Sequence, residues 1–271
     1  MTDPTPLQLS RIDRGHGTPV LLVHSSGMSS RQWTRLVDRL ADHHRAIAPD
    51  LLGYGKNPPW PADQPFDLRL DRDAIAALAT ELGGPVHLVG HSYGALIALL
   101  VAMETQVPVR SLSLFEPVAF GILHATADQA GLADLDTAQS PAFLDETTGG
   151  DEAWLNAFID YWSGPGAWNA LPATARNEFL RVGRKAFLEV RSLMHLRAPL
   201  DAFRAIRTPT LLLTGSASTV AARRVAVQLA EHLPAAELQI LDDVGHMGPL
   251  THADLVNARI RAHIERVEAA G

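Results

Sequence analysis

Short apolar segments alternate along the chain with longer segments of helical periodicity, and this alternation constrains the fold more than any other feature. The apolar segments are rich in Val, Ile and Leu, as expected for strands that are buried on both faces of a sheet. They lie at Val20–His24, Arg45–Asp50, Val86–Gly90, Val109–Glu116, Pro209–Gly215 and Glu237–Leu241. The helical segments lie at Arg31–His43, Leu70–Leu82, Tyr93–Glu104, Ala221–Leu233 and Ala253–Glu268. The alternation predicts an α/β fold with a mostly parallel, doubly wound sheet.

One long segment interrupts the alternation. Between Pro117 and Arg207 the sequence has helical periodicity but no strand pattern, so we predict a helical cap insertion over one end of the sheet. The predicted core then comprises residues 1–116 and 208–271, with a short additional strand near Leu7–Asp13. The chain has 271 residues and no low-complexity linker, so it is expected to form one such unit.

Aromatic residues are concentrated in the predicted insertion. A ligand pocket in an open α/β sheet is mostly apolar and lies outside the carboxyl ends of the strands, where an insertion would cover it. We therefore assign Trp154, Tyr161 and Trp162 as candidate substrate-binding residues. The alternative is that the aromatic rings of this segment pack against one another as the insertion's own core.

The composition excludes several classes of function. The formal charge is −7 and the sequence has no basic cluster, which argues against a nucleic-acid partner. The only lysines are Lys56 and Lys185, and we attribute this to a general preference for Arg rather than to a site. The chain has no Cys, which excludes disulfides, cysteine nucleophiles and thiolate metal sites.

The sequence also lacks the patterns of membrane insertion and of cofactor binding. The longest apolar run, Ala95–Met103, is much shorter than a membrane span, so no membrane partner is expected. Met1–Ser10 lacks the basic and apolar regions of a signal peptide, so we expect a cytoplasmic protein. We find neither metal-ligand spacing nor a Gly-rich dinucleotide motif, so no metal or other cofactor is expected.

A candidate nucleophile lies where a predicted strand meets a predicted helix. Residues Gly90–Gly94 have the sequence Gly-His-Ser-Tyr-Gly, directly after the strand that begins at Val86. A sharp turn of this kind exposes the serine hydroxyl, and glycine on either side avoids collisions with the neighbouring backbone. The start of the following helix adds partial positive charge. Ser92 is therefore predicted to be a catalytic nucleophile.

A serine hydroxyl needs a general base, and one of the twelve histidines is well placed to act as one. His246 follows the last predicted strand and precedes the final predicted helix. In a parallel sheet that loop lies at the same carboxyl edge as Ser92. His91 is expected to point away from Ser92, and His24 is expected to organise its own loop.

Four motifs, in order along the chain, resemble those of the α/β-hydrolase family. Besides Gly90–Gly94 they are the His-Ser-Ser-Gly loop at His24–Gly27, the Asp-Leu-Leu-Gly-Tyr-Gly turn at Asp50–Gly55 and the Gly-His-Met segment at Gly245–Met247. The resemblance covers nearly the whole chain. It implies an α/β-hydrolase fold, a Ser-His-acid triad and a cap domain in the position of the predicted insertion.

The resemblance also implies an oxyanion hole. In this fold the backbone N–H of the residue after the nucleophile and an N–H of the first βα loop bind the charge of the tetrahedral intermediate. The corresponding residues are Tyr93 and Ser26. Ser25 stands where the family usually has glycine, so the Ser25 amide is an alternative donor. Ser25 and Met247 are assigned as further candidate substrate-binding residues.

The triad acid is where this chain departs from the family. Most members carry Asp in the loop after the fifth predicted strand, but this chain has Ser218 there. Some members place the acid at the end of the preceding strand, and that position holds Glu116. A carboxylate ending an apolar strand is costly without a partner, so we predict that Glu116 orients His246. The alternative is that Glu116 caps the first turn of the insertion, whereas Asp242 and Asp243 are expected to face solvent.

Together these residues predict a serine hydrolase that acts on a carboxylic ester or related small acyl substrate through an acyl-enzyme. Serine at position 92 argues against dehalogenase and epoxide hydrolase chemistry, for which family members use Asp. Two alternatives stay open. One is another enzyme on the same fold, such as a C–C hydrolase, an acyltransferase or a lyase, and the other is a non-catalytic ligand-binding protein. A homodimer that pairs through the insertion helices is open as well.

Overall fold

A seven-stranded sheet forms the centre of the protein, whose computed structural model describes residues 9–61, 63–138 and 141–270. The strands are β1 (Arg11–Arg14), β2 (Thr18–Val23), β3 (His44–Pro49), β4 (Val86–His91), β5 (Val109–Phe115), β6 (Thr210–Gly215) and β7 (Ala236–Leu241). Their order is β1-β3-β2-β4-β5-β6-β7, and all neighbours are parallel except β1 and β3. The predicted α/β fold is confirmed. The leading strand begins at Arg11, and residues 7 and 8 of its predicted range lie outside the described part.

Three α-helices lie among the described residues that precede β5. They are α1 (Thr34–Leu40), α2 (Arg69–Glu81) and α3 (Tyr93–Glu104). The first segment, predicted as one helix over 31–43, opens as a 3₁₀ turn at Ser30–Trp33 and ends at Leu40, because β3 begins at His44. Helix α3 is buried from Tyr93 to Val101, which explains why its sequence is apolar on every side.

Both faces of the sheet are covered, which is why its strands are apolar at nearly every position. Along β2, Leu21 and Val23 face one hydrophobic core, whereas Val20 and Leu22 face the other. Because successive side chains of a strand point to opposite faces, a strand between two helical layers needs apolar residues at both sets of positions. The carboxyl ends of these strands are therefore held rigidly from both sides.

The described residues between β5 and β6 form helices and no strand. These helices are α4 (Gly121–Ala125), α5 (Gln129–Ala138), α6 (Glu152–Ser163), α7 (Ala167–Ala170), α8 (Ala173–His195) and α9 (Leu200–Arg204). Asp151 caps α6 by accepting a hydrogen bond from the Trp154 amide at 2.8 Å. The helical insertion expected from the sequence is present, while its boundaries at 117 and 207 stay a prediction.

The chain ends with helices α10 (Val220–His232), α11 (Gly248–Thr251) and α12 (Ala253–Ala270). The predicted helices at 221–233 and 253–268 match α10 and α12 to within two residues. Within the described ranges, no helix combines the length and the hydropathy that crossing a membrane requires.

Candidate active site

Ser92 lies at a strained turn between β4 and α3. Its backbone angles are φ 54° and ψ −117°, a conformation that is rare for a residue with a side chain. The flanking glycines make the turn feasible, because a Cβ on Gly90 would lie 2.4 Å from Ala95 Cα and one on Gly94 would lie 2.3 Å from the Val23 carbonyl oxygen. The turn therefore presents the Ser92 hydroxyl at the carboxyl edge of the sheet.

His246 connects the Ser92 hydroxyl to a buried carboxyl group. Its Nε2 atom lies 3.0 Å from Ser92 Oγ, and its Nδ1 atom lies 2.6 Å from Glu116 Oε2. When Nδ1–H donates to the carboxylate, Nε2 carries the lone pair and is free to accept the serine proton. The structure thus brings together the three residues that the sequence proposed as nucleophile, base and acid.

Glu116 is surrounded by hydrogen-bond donors. Besides His246, Oε1 accepts from Thr214 Oγ1 at 2.9 Å and from the Gly215 amide at 2.8 Å, and Oε2 accepts from Ser218 Oγ at 2.6 Å. Burial alone would raise the pKa of Glu116, but these bonds and the His246 charge outweigh it and hold the pKa below its ordinary value. Glu116 is therefore ionised at neutral pH.

The departure from the family at position 218 has a structural counterpart. Ser218 donates a hydrogen bond to Glu116 Oε2, the same oxygen that lies beside His246 Nδ1. The other carboxylates considered near the base, Asp242 and Asp243, are exposed. The first turn of the insertion begins only at Gly121 and has Phe120 at its cap position, so Glu116 does not serve as that cap.

Backbone amides in the first loop can be sorted by their partners. The Ser25 amide donates to Gln32 Oε1 at 3.1 Å, and the Gly27 amide donates to the Tyr54 hydroxyl. The Ser26 amide between them has no acceptor among the described residues. The Tyr93 amide is the first of α3 and therefore has no helical acceptor. This arrangement favours Ser26 over Ser25 as the partner of Tyr93, although the oxyanion role of either remains a proposal.

Two further histidines support the site from below. His91 Nε2 lies 2.9 Å from the backbone oxygen of His246, and burial lowers the pKa of His91 well below its ordinary value. His24 accepts from the Leu51 amide at 3.0 Å, and burial lowers its pKa to about 4. Both imidazoles are thus neutral near pH 7 and act as hydrogen-bonding struts for their loops.

A cavity of about 940 Å³ opens onto Ser92 and His246. Three predicted pocket residues, Ser25, Trp162 and Met247, line it. A smaller pocket of about 30 Å³ lies behind Ser92 and is lined by Tyr161 and Trp162 among other, mostly apolar residues. The Trp162 ring stacks on the His246 ring with centroids 3.9 Å apart and planes 24° apart.

Trp154 lies apart from the other predicted pocket residues. This ring is buried inside the insertion, where its Nε1–H donates to the Phe143 backbone oxygen at 2.8 Å and its face stacks on Phe158 with centroids 5.0 Å apart. It lines neither cavity described above. Trp154 and Trp162 lie on the same helix, α6, but face different surroundings, so the aromatic cluster divides between the insertion's core and the site.

Three charged residues beside the site were not found from the sequence. Asp71, Lys185 and Glu189 form a buried ionic cluster behind Ser26 and Tyr93. A signal for two of them existed, since Lys185 and Glu189 occupy the buried face of α8 at helical spacing, where the remaining positions are mostly apolar. Within the described ranges, no group of acidic and histidine side chains is arranged to hold a metal ion.

The chain matches a known protein family over most of its length. The sequence profile of the alpha/beta hydrolase family matches residues 20–259. The chain belongs to this family. That assignment agrees with the order of the strands, the turn at Ser92 and the position of the helical insertion between β5 and β6.

Relatives within the alpha/beta hydrolase family cover almost the whole chain. A pimeloyl-[acyl-carrier protein] methyl ester esterase of Neisseria meningitidis is 29% identical over 254 residues, which are 92% of this chain and 94% of the esterase. A 2-hydroxymuconate semialdehyde hydrolase of Pseudomonas sp. is 25% identical over 274 residues, covering 95% of this chain and 90% of that one. The crystal structure of the enol-lactonase from Burkholderia xenovorans superposes with a TM-score of 0.72 at 17% identity, covering 95% of this chain and 96% of the lactonase. The curated relatives are hydrolases, which supports hydrolase activity for this chain.

Proposed function

We propose that the protein is a serine hydrolase that cleaves a small or medium-sized carboxylic ester or related acyl compound. The observation that carries the proposal is the continuous array from Ser92 Oγ through the His246 ring to Glu116, with contacts of 3.0 Å and 2.6 Å. Such an array activates a hydroxyl that is otherwise a poor nucleophile at neutral pH.

The first half of the reaction forms an acyl-enzyme. Ser92 Oγ attacks the carbonyl carbon of the substrate while His246 Nε2 takes the hydroxyl proton. The Ser26 and Tyr93 amides bind the oxyanion, and Glu116 stabilises the imidazolium that has formed. The imidazolium then protonates the leaving alkoxide as the carbon–oxygen bond breaks, which leaves the acyl group on Ser92.

The second half reverses these roles. His246 removes a proton from a water molecule, and the resulting hydroxide attacks the acyl carbonyl. The same two amides bind the oxyanion that forms. Collapse of this intermediate returns the proton to Ser92 and releases the carboxylic acid. Both halves use the same groups, so the loss of Ser92 or His246 removes both.

The surroundings of Ser92 support a substrate with a substantial apolar part. The large cavity is lined by the apolar side chains of Phe158, Trp162, Leu171, Phe179 and Val182, all from the insertion. Polar residues also line the cavity: Ser25, Ser26 and Gln32 are uncharged, and Arg31, Asp50, Lys56, Glu178 and Arg181 are charged. We therefore propose that residues 117–207 act as a cap that supplies the apolar wall of the substrate site.

The proposal is tested with p-nitrophenyl esters of increasing acyl length. We expect turnover of at least one ester, and we expect Ser92→Ala to reduce kcat by at least about 10³-fold while the protein stays folded. The optimal chain length then measures the acyl site. If Ser92→Ala has the activity of the wild-type protein, or if neither protein exceeds the uncatalysed rate on any ester, the proposal is wrong.

A C–C bond hydrolase is the second candidate. It is favoured by the similarity to a 2-hydroxymuconate semialdehyde hydrolase along 95% of this chain. The two candidates are separated by assaying 2-hydroxymuconate semialdehyde alongside the esters. Ser92-dependent turnover of that compound with a kcat/KM above that of every ester would favour the second candidate.

A further inference from the structure

A buried ionic cluster connects the insertion to the region of the proposed oxyanion hole. Lys185 Nζ, on α8, lies 2.9 Å from Asp71 Oδ2, on α2, and 2.6 Å from Glu189 Oε1, one turn further along α8. The three side chains are almost completely buried. Aromatic rings enclose the ammonium, with Nζ 4.0 Å from the Phe66 ring centroid and 4.9 Å from that of Tyr54. Buried charges persist only with partners of this kind.

Both carboxyl groups of this cluster also accept hydrogen bonds from hydroxyl groups beside the site. Glu189 Oε2 accepts from Ser26 Oγ at 2.5 Å and from the Tyr54 hydroxyl at 2.9 Å. Asp71 Oδ2 accepts from the Tyr93 hydroxyl at 2.9 Å. The two residues whose amides are proposed to bind the oxyanion are therefore each anchored, through their side chains, to one ionic cluster.

We propose that Glu189, held by Lys185, is a positioning residue that fixes the Ser26 amide for the oxyanion. This inference rests on the proposed function, because only a tetrahedral oxyanion requires that amide. The amides on either side of Ser26 are held by groups of the core, since Ser25 donates to Gln32 and Gly27 to Tyr54. The Ser26 hydroxyl is held by Glu189, a residue of the insertion. The insertion therefore determines part of the geometry of the proposed oxyanion hole.

The protonation of Glu189 distinguishes this role from a merely structural one. Burial raises the pKa of Glu189, Lys185 opposes that shift and Asp71 adds to it, so that the pKa lies at about 7. A protonated carboxyl group has to donate from one oxygen, so Lys185, Ser26 and Tyr54 can no longer all donate to it. We therefore expect the Ser26 amide to be less well fixed below pH 7 than above it.

The other titratable groups that face the cluster do not change charge near pH 7. Burial holds the pKa of Tyr54 and of Tyr93 well above the ordinary value for tyrosine. Burial lowers the pKa of His24, whose ring meets that of Tyr54 edge-on, to about 4. The pKa of Lys185 is raised, because the two carboxyl groups outweigh its burial. A step in activity near pH 7 that depends on this cluster is thus assigned to Glu189.

The test compares pH profiles of ester hydrolysis for the wild-type protein, Glu189→Gln and Ser26→Ala. Above pH 7 we expect Glu189→Gln to lower kcat about tenfold with KM within twofold, less than the loss of a whole oxyanion donor, because the amide is misplaced and not removed. We also expect kcat of Glu189→Gln to change less across pH 7 than kcat of the wild-type protein, because the variant lacks the titrating carboxyl group. Ser26→Ala should change kcat in the same direction, and the double variant should lose no more than Glu189→Gln alone.

The matched control is Asp128→Asn. Asp128 is also a buried carboxylate of the insertion segment paired with a core residue, since it accepts from Arg224 of α10, but it does not contact Ser26 or Tyr93. It should lower the free energy of unfolding and leave kcat and the pH profile unchanged. Wild-type kcat in Glu189→Gln, or a profile like that of Asp128→Asn, would overturn the inference.

Two further outcomes are decisive. If Glu189→Gln does not fold, Ser26→Ala decides, and wild-type kcat and pH profile in that variant overturn the inference. If Ser92→Ala retains full activity, the proposed function is wrong and this inference is wrong with it. If activity requires Ser92 but is unchanged in Glu189→Gln, only the inference is wrong.

Discussion

The two sides of the site each contain a buried carboxyl group, and the two groups have opposite properties. On the sheet side, Glu116 accepts four hydrogen bonds, and its pKa lies below the ordinary value. On the insertion side, Glu189 shares one ammonium with Asp71, and its pKa lies at about 7. Their burial is nearly the same. The number of donors and the presence of a like charge therefore decide which group stays ionised.

This difference corresponds to a difference in role. A carboxylate that stabilises an imidazolium must stay charged throughout the reaction, and rigid strand ends can supply the donors that keep it so. A carboxyl group that only fixes the position of a loop can exchange protons near neutral pH. We infer that the sheet side supplies the chemistry and that the insertion side adjusts its geometry.

The largest expected effect is that of removing the sheet-side charge. Glu116→Gln keeps the size of the side chain but leaves the imidazolium without its counter-ion and favours the wrong tautomer of His246. We expect kcat to fall by about 10³–10⁴-fold with little change in KM, as in other triads that lose this carboxylate. Steady-state kinetics measure the loss, and circular dichroism checks the fold. Activity near that of the wild type would show that Glu116 is not the triad acid.

A second variant moves the charge to the position that is usual in the family. In Glu116→Gln with Ser218→Asp, the new carboxylate originates where the Ser218 hydroxyl now lies 2.6 Å from Glu116 Oε2. We expect it to approach His246 Nδ1 and to restore about 10–100-fold of the lost kcat, less than the full amount because the geometry is not optimised. Ser218→Asn in the same background is the control for size. Equal activity of the Asp and Asn variants would contradict this expectation.

These expectations reflect how far the sequence predicts the site. Ser92, Glu116 and His246 each follow a strand of one parallel sheet, and the carboxyl ends of parallel strands meet at one edge. Their proximity therefore follows from the alternation of strands and helices, even though 154 residues separate Ser92 from His246. The sequence pattern predicted the sheet and these three residues for the same physical reason.

The packing of individual residues in the insertion could not be predicted from the sequence. Helical periodicity shows which face of a helix is buried but not what that face is buried against. Trp154 and Trp162 looked equivalent, although one packs inside the insertion and the other stacks on His246. From the sequence alone, Lys185 was attributed to composition and not to a site, because its partner Asp71 lies 114 residues away. Charged residues on the apolar face of α8 were the available signal.

A pair of variants on α6 separates packing from participation in the site. We expect Trp162→Leu to lower kcat/KM about tenfold, because a ring stacked on His246 and lining both cavities is lost. We expect Trp154→Leu to lower the free energy of unfolding by about 2–3 kcal/mol and to leave kcat nearly unchanged, because it removes a buried ring from the insertion core. Urea unfolding and ester kinetics measure both. The same loss of kcat/KM in both variants would show that the whole insertion acts as one unit.

The smallest expected effect is on the pH dependence of stability, and it has opposite signs for the two carboxyl groups. The folded-state pKa of Glu189 is raised, so between about pH 4.5 and 7 the folded protein binds more protons, and the Glu189 contribution to stability falls as pH rises. The pKa of Glu116 is lowered, so its contribution is present above about pH 4.5 and is lost as pH falls below it. Urea unfolding of the wild type and each Gln variant from about pH 3 to 8 measures the two slopes. Parallel curves for all three proteins would contradict the comparison.

The most direct test of the central claim is covalent labelling of Ser92. The folded protein is incubated with a fluorophosphonate, its intact mass is measured, and the modified peptide is sequenced. We expect one adduct per chain, located on Ser92, formed much more slowly by Glu116→Gln and absent from Ser92→Ala. A folded protein that forms no adduct, or one that labels equally well without Ser92, would contradict the account of this site as a serine nucleophile activated by His246 and Glu116.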